Sequence, residues 1–186
     1  MSIGWELFII WEIFLLVWAI CALIYCQKNE RVKIFFQILG FVVLIPIFSL
    51  GVELEKSQLQ INTLPNYLPT VIIGFIITLL GLVFAIWSRI KLGKHWSGEV
   101  KILPNQKLIR DGPYKIVRHP IYTGMIIGML GTAIILVDII GGVLFITSIF
   151  ALTKKSREEE KLLLEHFSLQ YEQYKKDVKM LIPFLL

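Results

Sequence analysis

The chain has 186 residues, of which 56% are hydrophobic and 18% charged, and its formal net charge is +5. The mean hydropathy of +0.71 exceeds what a soluble core needs, and the apolar residues form long runs, so the sequence predicts a membrane protein. The length excludes an additional Rossmann-type cofactor domain, and we expect no nucleic-acid partner because cytoplasmic loops of membrane proteins are routinely basic.

Five apolar runs are the predicted transmembrane helices. They cover residues 3–26, 34–52, 68–90, 121–137 and 139–152. Each of the first three has about the 20 residues that cross ~30 Å of hydrocarbon. The last two are shorter and are expected to form a hairpin whose ends extend into the polar flanks.

The first run is predicted to be a retained span, because it has no basic region ahead of it and carries three tryptophans. Cys21 and Cys26 lie on different faces of this helix without further partners, which favours free thiols over a disulfide or a metal site. Glu12, inside the same run, is either an interface residue reaching outward with Glu6 or part of a polar path through the membrane.

Basic residues indicate the orientation of the chain. Lys28, Arg31 and Lys33 separate the first two runs, whereas the next link offers two glutamates and one lysine. The segment 88–118 then carries eight basic residues against two acidic ones. By the positive-inside rule, we expect the N terminus outside and both the long loop and the C-terminal tail in the cytoplasm.

The stretch "RDGPYKIVRHPIYTG", residues 110–124, precedes and opens the fourth span. Its Gly-Pro pair predicts a turn, and Pro120 suits a first helical turn whose free amides favour an anionic group. His119 and Tyr122 fall on nearly one face, which points to a site; the alternative is a pair of interfacial anchors. The glycines at 124, 128 and 131 favour helix packing over the approach of a flat ligand.

The tail is predicted to be an amphipathic helix over residues 153–179, since it has no Pro or Gly before Pro183. Its apolar stripe consists of Leu163, Phe167, Tyr171, Tyr174 and Val178. Glu159 and Glu160 continue that stripe inward. A buried charge is costly unless it is partnered, so a bound ligand is one partner for Glu159 and a structural pair with Lys155 is the other.

Four stretches together resemble the isoprenylcysteine carboxyl methyltransferase family of integral membrane enzymes. They are "KHWSGEV", "QKLIRDG", "GPYKIVRHPIYTG" and "EEEKLLLEHFSLQYEQYKKDVKMLIP", spread over about half of the chain. The resemblance implies an all-α, polytopic membrane helix bundle of about five transmembrane helices, with a C-terminal hairpin, a cytoplasmic loop and an amphipathic C-terminal helix. Residues 1–90 would supply three transmembrane helices and residues 91–186 the catalytic region.

The resemblance implies S-adenosylmethionine as methyl donor and S-adenosylhomocysteine as product. The implied partners are membrane lipids and a lipophilic methyl acceptor, the carboxylate of a prenylcysteine-like substrate. It implies no metal. The implied cofactor contacts are Lys101, Gln106, Lys107, Leu108, Ile109, Tyr114, His119, Pro120, Ile121, Tyr122 and Glu159.

The family usually has an arginine four residues before its Glu-Glu pair, where it is thought to meet the substrate carboxylate. Here that position is Lys155, which keeps the charge but loses the bidentate fork, and Arg157 is the alternative. The family's Phe-Gly pair is replaced by Phe167-Ser168.

Two other functions stay open on the sequence. A phospholipid amine N-methyltransferase would need a base such as Glu160, because an amine must lose a proton. A non-catalytic lipid-binding or transport protein would use Glu12 to line a path.

Overall fold

The computed structural model describes residues 3–25, 67–136 and 139–183, and within these ranges every regular element is helical. The predicted span at 34–52 and Cys26 lie outside the described residues. The helices are α1 (Ile3–Tyr25), α2 (Leu68–Leu92), α3 (Pro120–Leu136), α4 (Ile139–Phe167) and α5 (Leu169–Asp177). Short 3-10 turns cover Gly93–His95 and Gly112–Lys115.

Three of these helices match predicted spans. Both α1 and α2 are long and apolar enough to cross a membrane, and α3 is apolar but shorter. A proline lies in the first turn of α2, and Pro120 begins α3, as its fixed φ and missing N–H allow. Next, α3 and α4 follow one another along the chain and pack together, as the predicted hairpin requires.

Residues 153–167 and 169–177 of the predicted tail helix at 153–179 are helical, but the prediction of a separate start at 153 and of one uninterrupted helix is wrong. No break separates it from the last apolar run: α4 is one helix of 29 residues, about 44 Å long. No residue near position 153 stops a helix, so the helix that begins in the apolar run continues into the charged tail. The helix ends instead at Phe167, because Ser168 takes φ 44° and ψ −119° before α5 begins.

Close backbone contact joins α2 to α3. A Cβ added to Gly124 would lie 2.5 Å from the carbonyl oxygen of Gly81 and 2.7 Å from the amide nitrogen of Ala85. Only glycine permits this approach. The packing interpretation of the glycines is therefore confirmed. Next to it, Phe14 of α1 packs on Leu82 and Ala85 in the core.

The segment after α5, residues 178–181, returns to the start of α3. Lys179 forms an isolated parallel bridge with Val117. The amides of Arg118 and His119 donate to the carbonyl oxygens of Lys179 at 2.8 Å and Met180 at 3.0 Å. The end of the described chain thus fixes the residues that lead into α3.

Candidate active site

One cavity lies where the loop after α2, the start of α3 and the polar half of α4 meet, with α5 closing one side. Its empty volume, counted together with the part open to solvent, is about 830 Å³. All eleven residues implied as cofactor contacts line it: Lys101, Gln106, Lys107, Leu108, Ile109, Tyr114, His119, Pro120, Ile121, Tyr122 and Glu159. Residues far apart in the sequence are thereby brought together.

Buried tyrosines hold the wall that leads into α3. Gly112 takes φ +60° at the predicted turn, and the 3-10 turn that follows buries Tyr114. The Tyr114 hydroxyl donates to the carbonyl oxygen of Ser88 at 3.3 Å, and Tyr174 of α5 donates to the carbonyl oxygen of Tyr114 at 2.5 Å. Burial raises the pKa of both hydroxyls, so they stay neutral donors.

Glu159 supplies the carboxylate that faces the cavity. The Tyr122 hydroxyl donates to its Oε1, and His119 Nδ1 lies 3.5 Å from its Oε2. The rings of His119 and Tyr122 stack with centroids 5.8 Å apart and planes 8° apart. The side chain of Glu159 remains 25% exposed, so a ligand can reach it. The predicted inward direction of Glu159 is confirmed.

Glu160 has a different environment. Its Oε1 lies 2.6 Å from Nη2 of Arg118, and these two side chains are only 9% and 8% exposed. His119 Nε2 and Lys175 Nζ each lie 3.4 Å from the Glu160 carboxylate, and Glu160 is absent from the cavity lining. This buried pair was not among the predicted site residues. One signal in the sequence pointed to it: Arg118 directly precedes His119, and Glu160 directly follows Glu159.

The charges of this cluster shift two pKa values. Burial alone would raise the pKa of Glu160, but His119 and Arg118 outweigh it and lower the value to about 2. Burial alone would lower the pKa of His119, but Glu159 and Glu160 outweigh it and raise the value. Two carboxylates are thus balanced by the Arg118 guanidinium and an imidazole that favours its protonated form.

The loop wall of the cavity is held by polar contacts of its own. Gln106 Oε1 accepts from the amide of Leu103 at 2.8 Å, which closes the turn between them. His95 Nδ1 accepts from the amide of Lys107 at 3.3 Å. Because Nδ1 accepts, the neutral imidazole carries its proton on Nε2. Burial and two nearby lysines lower the pKa of His95, which favours that neutral form. His95 and Trp96 also line the cavity, although neither was among the predicted site residues.

The two cations predicted to meet an acceptor lie in different places. Lys155 Nζ donates to the carbonyl oxygen of Gly98 at 3.2 Å and lies 5.7 Å from the centroid of the Tyr122 ring. No ion pair joins it to Glu159, so the structural alternative for Glu159 is not formed. Arg157 is exposed on α4. Neither residue belongs to the cavity lining, but Lys155 lies at the edge of the cavity in the sense that it contacts the lining residue Tyr122.

Comparison with known proteins identifies the family. Residues 65–165 match the family model described as "Isoprenylcysteine carboxyl methyltransferase (ICMT) family". The protein-S-isoprenylcysteine O-methyltransferase of Schizosaccharomyces pombe is 31% identical over 135 residues, which are 71% of this chain and 56% of that protein. A probable protein-S-isoprenylcysteine O-methyltransferase of Oryza sativa subsp. indica is 28% identical over 116 residues, 61% of each chain.

A solved structure has the same fold. It is titled the eukaryotic intramembrane Ras methyltransferase ICMT, and it matches with a TM-score of 0.61 at 22% identity, over 83% of this chain and 64% of that one. The chain spans about three fifths of the length of the curated relatives from rice. Because the family model matches more than half of its residues, the chain belongs to the isoprenylcysteine carboxyl methyltransferase family of integral membrane proteins.

Proposed function

We propose that the protein is a membrane methyltransferase that moves a methyl group from S-adenosylmethionine to the carboxylate of a lipophilic, prenylcysteine-like acceptor. The observation that carries the proposal is that all eleven expected cofactor positions line one and the same cavity. The names of its curated relatives support the same activity. We further propose that the cavity opens to the cytoplasm and that the N terminus lies outside, from the charge asymmetry of the loops.

The chemistry of the cavity fits the donor. Its methionine part carries an ammonium and a carboxylate, and these need partners of opposite charge. The partly exposed Glu159 suits the ammonium. The first turn of α3 suits the carboxylate, because backbone amides there have no acceptor within the helix and carry the positive end of its dipole. Apolar side chains such as Leu108 and Leu162 line the same cavity and could contact an adenine ring.

The residues of the chain contribute orientation and the exclusion of water. When bound, S-adenosylmethionine supplies a sulfonium methyl group that an acceptor oxygen takes by in-line displacement, leaving neutral S-adenosylhomocysteine. A carboxylate acceptor is already ionised near pH 7, so no side chain has to act as a base. His119 and Tyr122 hold Glu159 in place. Lys155 is the cation at the edge of the cavity that could orient the acceptor carboxylate.

The amine alternative is weaker for a specific reason. It assigns the base to Glu160, whose pKa is lowered to about 2 and whose carboxylate pairs with Arg118 at 2.6 Å. Such a carboxylate holds a proton poorly and does not line the cavity. The transport alternative depends on Glu12, which also lies outside the cavity lining.

Binding of S-adenosylhomocysteine, measured by calorimetry on the detergent-purified protein, tests the donor site. We expect Glu159→Gln to weaken binding by at least tenfold, because a charge-assisted hydrogen bond is lost. Glu158→Gln is the matched control, since Glu158 is the exposed neighbour on the same helix. Equal affinity of the wild type and Glu159→Gln would show that the donor site is wrongly assigned.

Label transfer from S-adenosylmethionine into a lipid extract identifies the acceptor. An ester of a prenylcysteine-like carboxylate gives label that dilute base releases. Base-stable label would favour the amine reaction instead. Absence of label, together with absence of donor binding, would exclude both enzymatic functions.

A further inference from the structure

Arg89 is a fully buried cation in the last turn of α2, with 0% of its surface exposed. Its guanidinium carbon lies 4.1 Å from the ring centroid of Trp96, 5.8 Å from that of Trp18 and 5.9 Å from that of Tyr25. Two of these rings belong to α1 and the third to the loop that follows α2. The guanidinium therefore lies near aromatic rings from separate parts of the chain.

Packing alone gives no reason for a cation here. Removing a guanidinium from water is costly, and an apolar side chain would fill the end of an apolar helix at less cost. Arginine differs from other large side chains because its plane stacks on aromatic faces while its N–H groups donate. Both kinds of contact are present, since Nη1 donates to the carbonyl oxygen of Gly93 at 3.1 Å.

Trp96 connects this cluster to the cavity. One side of the Trp96 ring contacts Arg89, and the same residue lines the proposed donor cavity together with its neighbours Ser97 and His95. Trp18 packs edge-on against Trp96 with centroids 5.6 Å apart. Arg89 thus holds the segment 93–96 at its first residue, through the Gly93 carbonyl, and at its last, through the indole.

We propose that Arg89 is a positioning residue of the donor site: it fixes Trp96, and with it the start of the loop wall, against α1 and α2. Arg89 itself does not line the cavity. The proposal rests on the proposed function, because the cavity that Trp96 shapes is the one assigned to the methyl donor. It also gives α1, which contributes no residue to the cavity lining, a part in donor binding.

The test measures the affinity of the purified full chain for S-adenosylhomocysteine. Arg89→Lys keeps the charge but loses the planar stack, so we expect Kd to rise about tenfold while kcat at saturating donor falls less than about threefold. Lys94→Gln is the control, because Lys94 is an exposed basic residue in the next turn and does not line the cavity. A lower Tm with an unchanged Kd would mean a structural role only and would overturn the proposal.

Trp18→Leu gives an independent result if Arg89→Lys does not fold. Trp18 does not line the cavity, but it contacts both Arg89 and Trp96. We expect this variant to weaken S-adenosylhomocysteine binding about fivefold, and unchanged affinity would overturn the proposal. In a Trp96→Leu background, Arg89→Lys should cost less than about twofold, since the residue through which it acts is gone. If Arg89→Lys weakened binding as much in the Trp96→Leu background as in the wild type, the proposed coupling between Arg89 and Trp96 would be contradicted.

The wild type separates the two hypotheses. A wild type that does not bind S-adenosylhomocysteine overturns the proposed function and this inference with it. A wild type that binds, beside an Arg89→Lys variant that binds equally well, overturns the inference alone.

Discussion

Adjacent glutamates on α4 have separate tasks because successive helical residues point about 100° apart. Glu159 meets Tyr122 and the open cavity, while Glu160 meets Arg118, which comes from the loop before α3. The hydrophobic stripe predicted that both carboxylates face inward. It could not predict their partners, because Arg118 is 42 residues away in the sequence and its position depends on the chain that returns after α5.

The buried pair of Glu160 and Arg118 makes the stability of the protein change with pH in the acidic range. The pKa of Glu160 lies at about 2, below its ordinary 4.5. A carboxyl whose pKa is lowered by folding contributes stability that is complete above pH 4.5 and is lost as the pH falls toward 2. We expect Glu160→Gln to lower the free energy of unfolding at pH 7 by about 3 kcal/mol, because Arg118 stays buried without its partner.

Thermal unfolding in detergent between pH 7 and pH 2.5 measures this effect. The wild type should lose stability on acidification and approach Glu160→Gln at the lowest pH, whereas Glu165→Gln, an exposed carboxyl on the same helix, should follow the wild type throughout. Parallel curves for the wild type and Glu160→Gln would contradict the assignment. His119 has the opposite sign: its raised pKa contributes stability below pH 6.5 that is lost as the pH rises.

Helix boundaries were predictable where a residue dictates them and unpredictable where packing does. Pro120 predicted the start of α3, and the apolar run at 68–90 predicted the extent of α2. The end of α4 has no such signal, since Ser168 is neither Gly nor Pro. Its positive φ is imposed by the return of α5, whose Tyr171 and Tyr174 are buried. The resemblance held the clue, because the family has glycine at that position.

Ser168→Gly should therefore stabilise the protein. Serine at φ 44° and ψ −119° is strained, and glycine adopts such angles freely. We expect the free energy of unfolding to rise by about 1 kcal/mol, measured by thermal unfolding in detergent. Ser148→Gly, inside α4, should have the opposite sign, because glycine in a helix interior costs about 0.5–1 kcal/mol. A decrease for Ser168→Gly as well would show that the serine angles are not strained.

Contact between α2 and α3 depends on the absence of a side chain at Gly124. A methyl group there would lie 2.5 Å from the carbonyl oxygen of Gly81. Since this oxygen belongs to the backbone, it cannot move away without separating the helices. We expect Gly124→Ala to lower stability by about 2 kcal/mol, detected as a lower Tm. Gly142→Ala is the matched control, because a Cβ at Gly142 meets nothing within 4 Å and alanine favours a helix. Equal Tm values for the two variants would refute the close packing.

The assembled molecule unites segments that the sequence presents separately. The predicted division into residues 1–90 and 91–186 stays a prediction, and contacts cross it: α2 packs on α3, and Arg89 contacts Trp96. The membrane character followed from composition, and the site residues followed from the resemblance. The contacts that join these segments could not be predicted, because they depend on backbone hydrogen bonds that any sequence can make.

Residues 178–181 accept backbone hydrogen bonds from the residues that lead into α3, so a chain ending at Asp177 should lose the proposed donor site. Truncation would remove the acceptors of the Arg118 and His119 amides, and of the Thr123 hydroxyl, which donates to the carbonyl oxygen of Leu181 at 2.7 Å. His119 and the start of α3 would then lose their fixed position. We expect the affinity for S-adenosylhomocysteine, measured by calorimetry, to fall more than tenfold.

Two substitutions show whether these bonds cause the loss. Thr123→Val removes one of them at nearly constant volume and should weaken binding about threefold, since the hydroxyl that donates to Leu181 and to the His119 carbonyl oxygen is lost. Lys179→Ala keeps the backbone carbonyl and removes only an exposed side chain, so its affinity should equal that of the wild type. A truncated protein that folds and binds S-adenosylhomocysteine like the wild type would show that the start of α3 holds its position without the returning chain.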